Sequence, residues 1–222
     1  MKKIIISAFI CFSTAIMFGQ HLELFGAMNW NNFHDYNNER YQISEYKPGN
    51  GYSFAISIDD IAFKEAALRF TFRLDNYSGE IYTRSGGLAG FNITKASVEK
   101  YSLGFEVFPL NFKILKALRI NIGGSFNFLI SEKLSGYKQS WFPSSPSDPV
   151  LLDGNTVELS NNFTFGIISR IAYNIKIAEK WYISPQYQFF FGLSNEFIKI
   201  QAKTKSMRHY LGLGIIKDLN KN

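Results

Sequence analysis

The chain has 222 residues, 46% of them hydrophobic and 17% aromatic, with 22 Phe and 12 Tyr. A mean hydropathy of −0.08 excludes a bundle of membrane-spanning helices. The net charge of +6 is too small and too scattered for nucleic-acid binding, while aromatic excess at moderate hydropathy favours strands.

The N-terminus reads as a targeting segment. Lys2 and Lys3 precede a mostly apolar run from Ile4 to Phe18, followed by Gly19 and Gln20. This is the pattern of a secretory signal peptide, cleaved after Gly19, and it leaves residues 20–222 as one domain. The run is short of the roughly 20 residues that a spanning helix needs. The single cysteine, Cys11, lies inside this segment, behind Ile10, where a lipid-modified cysteine would want a small residue. The mature chain therefore carries no disulfide and no thiolate metal site.

Apolar–polar alternation then recurs in eight segments: 22–30, 52–58, 68–75, 101–108, 118–130, 163–173, 181–193 and 208–216. Leu68, Phe70, Phe72 and Leu74 against Arg69, Thr71, Arg73 and Asp75 is the cleanest case. The predicted strands run to about 7–13 residues, around the 9–11 of a transmembrane strand and longer than the 5–6 of a globular one. Short links near 59–64, 109–116 and 174–180 alternate with long ones at 32–50, 78–96, 132–160 and 194–205. Short turns on one side and long loops on the other make the pattern of an outer-membrane barrel. Trp30, Tyr52, Tyr77, Tyr101, Tyr173, Trp181 and Tyr182 fall near strand ends and predict two interfacial girdles.

The second face of each strand decides which way the barrel faces. It is rich in Gly, Ser, Thr, Asn and Gln and nearly free of Lys, unlike a water-exposed surface. Small polar residues suit the crowded interior of an eight-stranded barrel. In "RHYLGLGII", Leu211, Leu213 and Ile215 then face lipid while Gly212 and Gly214 face the lumen. The fold predicted is all-β, an eight-stranded antiparallel up-and-down transmembrane barrel with short periplasmic turns and long extracellular loops. A soluble lipocalin-like barrel is the alternative.

The signal segment, the eight amphipathic segments and the closing "HYLGLGII" together resemble the small eight-stranded outer-membrane barrels of the OmpA/OmpX and PorT-like kind. The resemblance covers roughly residues 20–217. It implies residence in the outer membrane of a Gram-negative-type bacterium. Many such proteins end on an aromatic residue, whereas this chain continues past Ile216 into "KDLNKN".

Five arginines point inward by register: Arg69, Arg73, Arg119, Arg170 and Arg208, with Glu23, Asp75 and Glu106. If the turn after the fourth strand centres near Phe112, Glu106 sits opposite Arg119. Arg69, Glu106, Arg119 and Arg170 are then expected to cluster near the periplasmic end. Charges there must pair, and the planar guanidinium satisfies two acceptors at once. The cluster reads either as a salt-bridge plug or as a narrow, weakly anion-favouring path.

Catalytic chemistry is not visible. His21, His34 and His209 have no evident nucleophile or base partner, and His209 is expected to neighbour Phe191. No HExxH, Walker loop, GxSxG or cluster of metal ligands occurs, so no cofactor, metal or enzymatic activity is expected. The loops carry the remaining candidates. Trp141 and Phe142 are either a contact patch or a cover over the barrel mouth. Lys199, Lys203 and Lys205 are either a contact for lipid phosphates or a solvated charge run. Asp153 to Asn155 reads as a hairpin turn. The function expected is a monomeric, non-catalytic barrel in outer-membrane lipid, binding a surface ligand or envelope protein or bracing the envelope. A small channel and an accessory component of a secretion or assembly system are the alternatives.

Overall fold

The computed structural model describes residues 20–35, 42–63, 66–87, 90–115, 117–142, 147–153, 159–198 and 203–219. The signal segment 1–19, Lys199 and the residues after Asp153 in the expected hairpin turn lie outside them. Among the described residues there are ten strands: β1 (His21–Asp35), β2 (Gln42–Phe63), β3 (Ala66–Gly87), β4 (Gly90–Lys113), β5 (Leu118–Trp141), β6 (Val150–Asp153), β7 (Phe163–Tyr173), β8 (Ile175–Ala178), β9 (Trp181–Gly192) and β10 (Thr204–Asp218). Eight of them close into an antiparallel ring. Neighbours pair from β1 through β5, then β7, β9 and β10, and β10 returns to β1 over fifteen residue pairs. The short β6 adds to β5, and β8 adds to β9.

The register fixes the barrel's shape. Stepping from Leu22 through Ile58, Phe70, Val107, Gly124, Ile167, Phe191 and Met207 returns to β1 at Asn32, ten residues above the start. A shear of that size in eight strands means tilted strands, about 40° from the axis, around an interior only as wide as its side chains.

The outer face of the lower barrel is an apolar belt. Leu24, Met28, Phe54, Leu74, Phe126, Ile167, Leu211, Leu213 and Ile215 are all exposed there. The inner face holds Glu23, Ser57, Arg69, Thr71, Asn121, Ser125, Gln186 and Gln188, all buried. A barrel greasy outside and polar inside is built for lipid, and the chain spans a membrane with these strands. Trp30, Tyr52, Tyr173 and Trp181 stand exposed near the belt's two borders. Tyr77 does not join them: it is 2% exposed and points inward. The glycines of β10 face the lumen. A Cβ at Gly214 would overlap the Glu23 carboxylate, and one at Gly212 would overlap the backbone of β1.

The strands β2 to β5 are longer than the alternation predicts. They span 22 to 24 residues each and run through much of what reads as loop. Above the belt they form a curved wall on one half of the ring, an extracellular arm extended by β6. The hydrophobic phase inverts there. Outward residues become polar (Lys47, Glu80, Lys95, Ser97) and inward ones apolar (Ile81, Ala96, Val98, Leu134). Those inward residues join Phe33, Tyr77, Leu152, Leu159 and Phe197 in a small core that caps the extracellular mouth.

The unboiled mature protein is expected to migrate ahead of the boiled form on a semi-native gel, as a barrel that holds its shape in detergent. A protein soluble without detergent whose band never shifts would mean that the apolar belt is not facing lipid.

Candidate functional site

Two regions carry the chain's chemistry: the charged lumen and the extracellular arm. The lumen is tiered. At the base, Glu23 is a hub. Its Oε2 accepts from Arg69 Nη1 at 2.7 Å and from Arg170 Nη2 at 2.9 Å, and Gln186 donates to its Oε1. Arg69 also reaches Asp59 at 2.6 Å and donates to Ser57 Oγ at 2.7 Å. Arg119 lies 3.7 Å from Asp59 and 3.3 Å from Asp60, and Asp60 meets Lys113 at 3.1 Å and His21 at 3.2 Å. Arg170 donates to Asn121 Oδ1 at 2.8 Å.

The next tier pairs Arg73 with Glu106 at 2.8 Å, with Gln188 as a further acceptor. The Arg73 guanidinium lies 4.3 Å above the Tyr210 ring. Higher still, Arg208 meets Asp75 at 3.2 Å, and the Tyr210 hydroxyl donates to the same carboxylate at 2.9 Å. Arg208 is sandwiched between Phe190 and Tyr77, at 4.1 and 4.5 Å from their ring centres.

The expected cluster is thus partly separated. Arg69, Arg119 and Arg170 do meet near the periplasmic end, but through Glu23, Asp59 and Asp60. Glu106 lies in the tier above, on Arg73. The strand β4 continues to Lys113, which pairs with Arg119, so the turn lies beyond Phe112, and a bulge between Val107 and Leu110 moves the register back by only one residue. Glu106 therefore faces Ser125 rather than Arg119, and Arg69 lies beside Phe108. Asp59 and Asp60 were hidden by their place in a presumed turn. The signal that exposes Asp59 is parity, since it continues the inward series Ser53, Ala55, Ser57.

Lys100 and Glu196 are a second pair that the alternation left unread. Glu196, in the segment after β9, accepts from Lys100 Nζ at 2.8 Å, Tyr77 Oη at 2.7 Å and Ser206 Oγ at 3.0 Å. Burial by itself would raise the Glu196 carboxyl; Lys100 and Arg208 overcome this and hold it down at about 2. Phe197, next to it, has the Lys100 ammonium 4.1 Å from its ring centre and packs edge-on against Phe33. Lys100 continues the inward parity of Glu106, Gly104 and Ser102, so its place was legible in retrospect.

The surface candidates sit apart. Trp141 and Phe142 are exposed on the outer face at the arm's tip and do not cover the mouth, which Leu152, Leu159 and Phe197 close. Phe91 stacks on Trp141 at 5.1 Å and 16°, and the Arg84 guanidinium lies 4.2 Å over Phe91. Lys203 is exposed and Lys205 partly buried at the start of β10, three strands further round the ring. His209 pairs in register with Phe189, not Phe191, and its Nδ1 lies 2.6 Å from the Tyr187 hydroxyl on the lipid-facing side.

No protein-family model and no curated protein sequence matches the chain. Solved structures do. Its structural neighbours include small outer-membrane β-barrel proteins. Neisserial surface protein A aligns over 89% of this chain and 97% of its own, with 11% identity and a TM-score of 0.44. The attachment invasion locus protein Ail of Yersinia pestis aligns over 89% and 99%, with 10% identity and a TM-score of 0.37. The outer membrane protein OprG from Pseudomonas aeruginosa aligns over 90% and 97%, with 9% identity and a TM-score of 0.41.

Two outcomes are expected. Glu23→Ala leaves Arg170 with no paired carboxylate inside the barrel and Arg69 with Asp59 alone, a change that costs about 3–5 kcal/mol. Glu106→Ala affects Arg73, which keeps Gln188, so its melting temperature in detergent should fall less; equal losses would refute Glu23 as the hub. Glu196 gives the second. Its carboxylate is favoured by the fold, so its contribution is complete above the ordinary value of 4.5 and is lost as pH falls toward about 2. Hydrogen exchange of residues 193–198, corrected for intrinsic rates, should quicken across that window, and the step should vanish in Glu196→Gln.

Proposed function

We propose that this chain is a non-catalytic outer-membrane barrel, matured by removal of residues 1–19, that works by contact through its extracellular arm. The observation that carries the reading is where rigid structure has been placed. The strands β2 to β5 continue far beyond the belt and gain their own buried core, whereas a lipid-spanning strand needs only about 9–11 residues. An arm with that core holds an outer face in fixed geometry, which is what a binding surface requires.

The lumen supports a structural role for its charges. Within the lower barrel, Arg69, Arg73, Arg119, Arg170 and Arg208 are balanced by Glu23, Asp59, Asp60, Asp75 and Glu106. That neutrality argues against an anion-favouring path. The ring leaves no open strand edge in the bilayer, which supports a monomer in outer-membrane lipid. A small channel is the second reading. Arg73 Nη1, Arg208 Nη2 and Asn127 Nδ2, all in the upper tiers, are buried without a hydrogen-bond partner in the protein. Such groups are the ones internal water satisfies.

Orientation and conductance test the reading together. Since the mature chain has no cysteine, Lys95→Cys should react with a membrane-impermeant maleimide on intact cells. Lys113→Cys should react only after the outer membrane is opened. The reverse pattern would put the arm in the periplasm and end the proposal. In a planar bilayer the refolded protein should give no discrete current; steady single-channel steps would favour the channel.

A further inference from the structure

The outer face of the arm carries a built depression. Strand pairing sets Glu45, Tyr82, Lys95 and Tyr137 side by side across β2, β3, β4 and β5. The row nearer the membrane brings Lys47 to 3.0 Å from Glu80, beside Ser97 and Ser135. Between the two rows lies a cavity of about 690 Å³, open to the side. That volume falls within the roughly 300–1,000 Å³ of small-molecule sites. Gly136 lies in its floor at φ 144°, and a Cβ there would overlap the Lys95 carbonyl. A glycine kink of this kind is what curves a sheet locally. The same face continues upward to the Arg84–Phe91–Trp141 stack. Ser97 to Phe91 spans six residues of β4, about 20 Å.

The chemistry of this track is selective. Each tyrosine offers a flat apolar ring and a hydroxyl at its edge. Carboxylates, ammonium groups and serines offer donors and acceptors between the rings. In the depression the charges cancel, Glu45 and Glu80 against Lys47 and Lys95, and the stack above adds the single cation Arg84. An anionic polymer needs a row of excess cations, and this track has an excess of one. A protein partner wants an apolar centre with a charged rim, whereas charged Lys95 stands between the two tyrosines. A ligand made of neutral rings with apolar faces and many hydroxyls fits both the aromatic flanks and the polar floor.

We propose that this face binds a neutral oligosaccharide, seated between Tyr82 and Tyr137 and running toward Phe91 and Trp141. This deepens the contact function above and rests on it. Tyr82 and Tyr137 flank and stack on the sugar, and Glu45 and Lys95 bond its hydroxyls. The track opens sideways, so its ligand lies along the cell surface.

The test uses the refolded mature protein in detergent against a panel of neutral oligosaccharides, with heparin as an anionic control. At least one neutral oligosaccharide should bind, and the binding should survive about 0.5 M salt, where surface charge is screened. Tyr82→Ala with Tyr137→Ala should weaken it roughly tenfold or more, with the heat-modifiable band unchanged because both side chains point outward. Three results would overturn the proposal: no neutral oligosaccharide binds, only heparin binds and salt removes it, or the double variant binds as well as the parent. Polysaccharide released from the producing cells serves as a separate probe: its binding assigns the ligand to the same surface, and binding by the panel alone assigns it to a foreign one. The maleimide labelling above reports the arm's orientation without any ligand, so it separates failure of the sugar site from failure of the contact reading.

Discussion

Every backbone N–H and C=O that enters hydrocarbon must be paired within the protein, since nothing in the lipid can bond it. In a sheet this leaves only closure, and the pairing of β1 with β10 is what closes it. The other features of the lower barrel follow. Closure with a shear of ten sets the strand tilt and leaves an interior just wide enough for side chains. Any charge on the inner face is then surrounded by other inner-face groups. An arginine there has to find a carboxylate on another strand, and the ladder of Glu23, Glu106 and Asp75 meeting Arg69, Arg170, Arg73 and Arg208 is the result.

The same confinement explains the small residues of β10. Gly214 stands where the Glu23 carboxylate and the Gln186 amide converge, so the hub exists because the facing strand carries no side chain at that point. Glycine usually weakens a strand, because it has nothing to pack and more freedom to lose. In this place the absent side chain is the space that the polar contact occupies. The alternating leucines on the other side supply the lipid contact that keeps the strand in the sheet.

The belt was legible in the sequence because lipid imposes the strongest pattern a strand can show. Apolar residues at every second position of 68–74, 101–107 and 208–216 gave both the strands and their facing. Pairing was less legible, because it depends on where turns centre and where extra residues are inserted. The turn after β4 lies past Lys113 rather than near Phe112, which separates Glu106 from Arg119, and nothing in the local alternation announces it. The arm was unread for a different reason. Its outer face meets water, so Glu80, Tyr82 and Arg84 look like loop residues although they alternate with the buried Ile81 and Thr83.

The arm nevertheless leaves a signal in the chain. In the belt the strands are apolar outside, and in the arm they are apolar inside, so each strand must invert on leaving the membrane. The central strands β3 and β4 do it by a change of phase in the sequence. In β3 the apolar positions shift from even numbers at Phe70, Phe72 and Leu74 to odd numbers at Tyr77 and Ile81, with unbroken pairing to β4 below and above. The flanking strands β2 and β5 do it by geometry. In β5 apolar residues stay at even positions, Phe126 and Phe128 outside and Leu134 inside, because the extra residue between Leu129 and Ser131 turns the strand over. In β2 the irregularity between Pro48 and Tyr52 does the same for Tyr46. All four inversions fall just above the belt. A phase slip in the alternation, or a bulge that replaces it, therefore marks where these strands leave lipid and where the surface available for contact begins.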